Sequence, residues 1–117
     1  MRNFKQLVVW QRSVDLAESM YRITANFPRA ESRGLIGQIR RSAGSVGANI
    51  AEGAGRLSPK DFQRFLGYSI GSLNELEHHC MVAGRVGYLN PGRLREVRKE
   101  ISQIRAMAVA LRNSQKR

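Results

Sequence analysis

The chain has 117 residues, 42% of them hydrophobic, which fits one domain with its own apolar core. Twenty Lys and Arg against nine Asp and Glu give a formal net charge of +11, so we expect a surface that attracts polyanions such as nucleic acid. No apolar run is long enough to cross a membrane, the N-terminus lacks a convincing signal peptide, and the single cysteine excludes an internal disulfide and favours the cytoplasm.

Apolar periodicity and turn residues predict four helices, near residues 6–26, 32–55, 59–87 and 91–114. The first helix carries two apolar seams, and such a helix needs packing partners on two sides. Pro28 closes it, because the residue before a proline disfavours helical geometry. One seam contains Leu7, Trp10, Val14, Ala17, Tyr21 and Thr24, and the other contains Val9, Leu16, Met20, Ile23 and Phe27.

The second predicted helix is rich in glycine, which raises the alternative of a phosphate-binding loop. Neither G-x-x-x-x-G-K-[ST] nor a complete G-x-G-x-x-G pattern is present, so this alternative is disfavoured. At about 100° per residue the segment instead sorts into an apolar, a polar and a small-residue face. The small face predicts close approach of another helix, within the bundle or between subunits, with Gly67 and Gly71 as a candidate matching surface. It comprises Gly37, Gly44, Gly47, Ala48, Ala51 and Gly55.

The third and fourth predicted helices begin with the same local signals. Ser58 and Asn90 are good N-cap residues, and each is followed by a proline at the first helical position. Both segments then place apolar residues at steps of three and four. We therefore predict an all-α protein, an antiparallel up-down four-helix bundle that forms one domain over residues 1–117.

The polar residues indicate packing rather than catalysis. His78 and His79 point about 100° apart on a helix, so they make a poor metal site, and Cys80 lies on an apolar seam. We therefore expect no enzyme, metal or cofactor. The best polar constellation predicts an ion-pair network between helices two and three, with a buried site as its alternative. It contains Arg41, Asn49, Glu52, Glu75 and Glu77.

The last predicted helix is the most basic part of the chain, since residues 90–117 hold eight of the cations and two of the carboxylates. A row of arginines spaced by seven would suit a phosphate backbone; the alternatives are a solvated flank over the apolar seam or pairing with acids of a neighbouring subunit. The aromatic residues fall mostly on or beside seams, so duplex or structured RNA is favoured over a single strand. The candidate nucleic-acid-binding residues are Arg95, Arg98, Lys99, Arg105, Arg112, Lys116 and Arg117.

Several motifs together resemble a known family. They are F-x-x-L-x-V-W-Q from Phe4, the segment 27–56 with Asn49-Ile50-Ala51-Glu52-Gly53, the segment 62–77, and GYLNP from Gly87. The chain resembles the four-helix-bundle proteins encoded in intervening sequences of 23S ribosomal RNA genes. The resemblance covers nearly the whole chain.

This resemblance implies properties beyond those that periodicity indicates. Family members are antiparallel four-helix bundles that tend to form homopentamers, and no catalytic residue is known for them. A related branch is the accessory variability determinant of diversity-generating retroelements, a basic pentamer that binds nucleic acid and a reverse transcriptase. The resemblance thus favours a nucleic-acid-binding oligomer, with a protein-interaction adaptor, for example to a reverse transcriptase, as the alternative.

Overall fold

The computed structural model describes residues 2–115 and contains four α-helices in that range, with no β-strand. They are α1 (Val8–Thr24), α2 (Leu35–Ala54), α3 (Pro59–Arg85) and α4 (Pro91–Ser114), with short 3₁₀ turns at Phe4–Gln6 and Arg29–Glu31. Each helix packs on its neighbours in sequence, and α1 also packs on α4, which closes the bundle. The all-α four-helix prediction is confirmed.

Local signals define the helix ends. Ser58 Oγ accepts a hydrogen bond from the Asp61 amide at 3.0 Å, and Asn90 Oδ1 accepts one from the Arg93 amide at 2.8 Å, so both predicted caps are formed. Helix α2 begins at Leu35, three residues later than predicted, after the 3₁₀ turn; the Glu31 carboxylate accepts from the Leu35 amide at 3.1 Å.

The C-terminal end of α3 comes two residues earlier than predicted. Gly87 has a φ of 90°, in the left-handed region that favours glycine, and it turns the chain out of the helix. The amides of Tyr88 and Leu89 then donate to the Ala83 carbonyl at 2.9 and 3.3 Å, which satisfies an end-of-helix acceptor.

The core runs along the bundle axis and uses the predicted seams of α3 and α4. In α1 the seam that contains Val9 supplies the buried side chains Leu16 and Met20, whereas Val14 and Tyr21 of the other seam are 43% and 52% exposed. The bundle therefore leaves part of the seam that contains Val14 and Tyr21 uncovered. The core side chains of α3 and α4 are Phe62, Leu66, Leu73, Leu76, Cys80, Ala83, Val97, Ile101, Ile104 and Ala108.

Two glycines of α2 lie against different neighbouring helices. A Cβ at Gly47 would lie 2.6 Å from Ser13 Oγ of α1, and a Cβ at Gly53 would lie 2.7 Å from Phe65 Cβ of α3. Both glycines are buried, so each marks a close helix approach inside the bundle. Gly44 is exposed and meets nothing, so the small residues do not act as one surface.

Gly67 and Gly71 do not form a matching surface for α2 inside the bundle. A Cβ at either position would have open space around it, so neither glycine lies against α2, and a match between subunits stays a prediction. Gly53 is the α2 glycine that faces α3, and its neighbours there are Phe62 and Phe65. An aromatic side chain on α3 thus fills the space that a side chain on α2 would occupy.

Gly47→Leu should lower the free energy of unfolding by about 1–3 kcal/mol or more, because the new side chain overpacks the α1–α2 contact. Gly44→Ala is the matched control in open space, and it should raise the free energy of unfolding by up to about 1 kcal/mol because alanine favours the helix. Urea unfolding followed by circular dichroism measures both. A Gly47→Leu protein as stable as wild type would show that the contact is not close.

Candidate nucleic-acid interface

A shallow groove of about 470 Å³ lies between α3 and α4 on the outside of the bundle. Its α4 wall comes from residues separated by steps of three and four, which a helix places on one side. Four of the lining side chains are cationic and one is a carboxylate. We call this feature the basic groove; it is lined by Glu77, Arg95, Arg98, Lys99, Ser102 and Arg105.

Glu77 of α3 bridges two arginines of the groove. Its Oε2 accepts from Arg98 Nε at 2.9 Å, and its Oε1 accepts from Arg105 Nη1 at 3.1 Å. Arg105 Nη1 also donates to Asn74 Oδ1 at 2.8 Å. The Arg98 hydrogen bond, with that of Arg105, lowers the pKa of Glu77 from its ordinary value, so the carboxylate stays ionised. The two guanidinium groups are therefore held beside one anion.

The remaining candidates differ in their surroundings. Arg95 and Lys99 are exposed, and no carboxylate among residues 2–115 forms an ion pair with either. Arg112 is half-buried beyond the groove, where its carbonyl accepts from Gln63 Nε2 at 3.2 Å. Lys116 and Arg117 lie outside the described residues. The structure thus brings four of the seven candidates into one groove: Arg95, Arg98, Lys99 and Arg105.

The predicted ion-pair network between α2 and α3 is wrong. Glu52 pairs at 2.8 Å with Arg56, just beyond the end of α2, and Glu77 pairs with arginines of α4. The hydrogen bonds between α2 and α3 are made by serines: Ser45 Oγ donates to Ser72 Oγ at 2.6 Å, and Ser69 Oγ donates to the Val46 carbonyl at 2.8 Å. Short hydroxyls fit here because small residues bring the helices close together.

The remaining polar members of that predicted network also stay within their own helices. Arg41 Nη1 donates to the Gly37 carbonyl at 3.4 Å, and Asn49 Nδ2 donates to the Ser45 carbonyl at 2.8 Å. Glu75 Oε2 lies 3.5 Å from His79 Nε2, one turn along α3. None of these contacts assembles the buried site that was the alternative interpretation.

The thiol and the potential metal ligands of residues 2–115 lie in ordinary structural surroundings. Cys80 is buried, and burial raises the pKa of its thiol to about 12, so it carries little thiolate. Among residues 2–115 no three His, Cys, Asp or Glu side chains are grouped as metal ligands. Within the same range, no helix combines the length and apolar character needed to cross a bilayer.

The structure reveals an arginine–aromatic cluster that the sequence pattern did not indicate. The Arg56 and Arg64 guanidinium carbons lie 4.9 and 4.8 Å from the centre of the Phe65 ring, and Arg64 lies 5.8 Å from that of Tyr68. Tyr68 is 48% exposed. The spacing of four residues between Arg64 and Tyr68 could have indicated their contact on one helix face. The contact of Arg56 with Phe65 depends on how α2 and α3 pack, which the sequence does not show. We call these four residues the stacking cluster.

Comparisons with known proteins agree with this fold. A crystal structure of a protein of unknown function from the S23 ribosomal protein family of Bacteroides thetaiotaomicron VPI-5482 superimposes with a TM-score of 0.81. It is 24% identical, and the match covers 92% of this chain and 100% of that one, which shows a shared fold. None of the curated proteins searched matches this chain.

A sequence profile identifies the family directly. The profile of the 23S rRNA-intervening sequence protein family matches residues 5–110, which includes all of the first three helices and most of α4. The matched range also includes the basic groove and the stacking cluster. The chain therefore belongs to the family of 23S rRNA-intervening sequence proteins.

Proposed function

We propose that this chain is a non-enzymatic, oligomeric scaffold of the cytoplasm that binds structured RNA or DNA through the basic groove. The observation that carries the proposal is the convergence of four cationic side chains on one groove that contains a single carboxylate. Arginine forks match phosphate oxygens in pairs, and a helix wall presents them at regular intervals. The family name, which refers to ribosomal RNA, supports RNA as the first ligand to test.

The cations of the basic groove would contact the phosphate backbone of a structured nucleic acid. Arg95 and Lys99 are exposed and available for phosphate contacts, whereas Arg98 and Arg105 are shared with Glu77. The Arg98 side chain is 48% exposed, whereas that of Glu77 is 18% exposed, so a phosphate can approach Arg98 from solvent and compete with the carboxylate. Such contacts read shape and charge rather than base sequence.

Oligomerisation would repeat the groove and strengthen binding through avidity. The exposed part of the α1 seam, at Val14 and Tyr21, supports contact with a second protein chain. We propose a homopentamer on this basis together with the family resemblance. The same exposed seam supports the second candidate function, an adaptor for a protein such as a reverse transcriptase. Sedimentation of the purified protein alone separates self-association from an unoccupied partner surface.

Replacing Arg95 and Lys99 together with Gln should weaken binding to a structured RNA at every sequence tested. Each lost phosphate contact should reduce the magnitude of the salt slope, d log K/d log[salt], by about 1. The matched control replaces Arg29 and Arg33, which are exposed between α1 and α2, with Gln. Fluorescence anisotropy over a range of salt measures both. Equal losses in the two double variants would show diffuse attraction by net charge and contradict a defined groove.

Glu77→Gln should strengthen binding, by about 3- to 10-fold at low salt, because the groove loses its only carboxylate and two arginines become free for phosphate. Glu75→Gln removes the same charge from the same helix but away from the groove, and it should have a smaller effect. The measurement is again anisotropy with a structured RNA. Weaker binding by Glu77→Gln would mean that the carboxylate is needed to position the arginines, contrary to the proposed competition.

A further inference from the structure

The stacking cluster lies where the C-terminal end of α2 meets the first half of α3, apart from the residues that line the basic groove. Phe65 packs against Gly53 through its Cβ, and its ring carries the guanidinium groups of Arg56 and Arg64. The Tyr68 ring meets Phe65 edge to face, with 5.4 Å between centroids and an interplanar angle of 83°. Two guanidinium groups and two aromatic rings therefore lie in contact on the surface.

Tyr68 is exposed but held in place. Its hydroxyl accepts a hydrogen bond from Arg64 Nη1 at 3.2 Å, and its ring is fixed by the edge contact with Phe65. The neighbouring positions on the open side of α3 are glycines: a Cβ at Gly67 or Gly71 would meet nothing within 4 Å. Packing inside the bundle does not explain these glycines, although glycine disfavours a helix relative to alanine. They leave the approach to the Tyr68 ring uncovered.

The cations of the cluster have exchangeable partners. Arg56 pairs with Glu52 at 2.8 Å and Arg64 with Asp61 at 3.1 Å, and all four side chains are more than 40% exposed. Solvent screens such pairs strongly, so phosphate oxygens can replace the carboxylates at small cost. The site therefore combines a half-exposed aromatic ring with two guanidinium groups whose carboxylate partners can be displaced. This combination matches the chemistry of an unpaired nucleotide, which presents a base face and a phosphate together.

We propose that the stacking cluster is a second nucleic-acid site, which binds single-stranded segments by stacking an unpaired base on Tyr68 while Arg56 and Arg64 contact the adjoining phosphates. A duplex cannot use this site in the same way, because its base faces are already stacked on one another. The site goes beyond the proposed function of the basic groove, which contacts phosphates of structured nucleic acid. Together the two sites would bind a hairpin stem and its unpaired flank.

The test compares Tyr68→Leu with Tyr68→Phe, since leucine keeps apolar bulk without a flat ring and phenylalanine keeps the ring. The probes are a short fluorescein-labelled oligouridylate and a labelled blunt-ended RNA duplex of two strands, measured by anisotropy across salt concentrations. Tyr68→Leu should weaken oligouridylate binding about 10-fold, with an unchanged salt slope and unchanged duplex binding. Tyr68→Phe should stay within about 2-fold of wild type. Met81→Ala, which shortens another exposed side chain on α3, is the control.

Unchanged oligouridylate binding by Tyr68→Leu would overturn the stacking site, and so would an equal loss on both probes. The basic-groove proposal still stands after such a result if the Arg95 and Lys99 variant loses duplex binding. The two proposals can therefore fail separately. A second measurement uses the wild-type protein: oligouridylate that contains 5-iodouridine should cross-link to Tyr68 under ultraviolet light. Adducts confined to α4 would also overturn the proposal.

Discussion

Close packing of α2 against both α1 and α3 is the constraint on which the rest of the molecule depends. Gly47 and Gly53 lie on different sides of α2, and at each of them a single methyl group would collide with the neighbouring helix. The contact between α2 and α3 is the most extensive in the bundle, and hydrogen bonds from serine hydroxyls cross it. This contact sets the rotation of α3 and so decides which of its residues face outward.

Both proposed sites follow from that rotation of α3. On the side toward α4, Glu77 and Asn74 accept hydrogen bonds from two of the three arginines that line the basic groove. On the side toward α2, Phe65 fills the space beside Gly53, and Tyr68, one turn later, is half-exposed beside Arg64. Helix α3 therefore supplies both the carboxylate that pairs with two arginines of the basic groove and the aromatic rings of the stacking cluster. In the proposed function, the excess of cations on α4 is the source of attraction for nucleic acid.

Local features were predictable from the sequence, and features between helices were less so. The caps at Ser58 and Asn90 depend on residues within one turn, and the apolar periodicity of α3 and α4 indicated the core correctly. The partner of Glu77 was misjudged, because the charge of a side chain does not reveal which neighbouring helix it will face. The same reason explains why Tyr68 and Arg56 were not recognised as neighbours of a common ring.

The salt dependence of wild-type binding to a structured RNA tests the central claim most directly. Four cations line the basic groove, so log K should fall linearly with log[salt], with a slope magnitude of about 3 or more for each protomer engaged. Counterion release from neutralised phosphates produces that slope. Binding that does not change with salt, or no binding at low salt, would contradict the account.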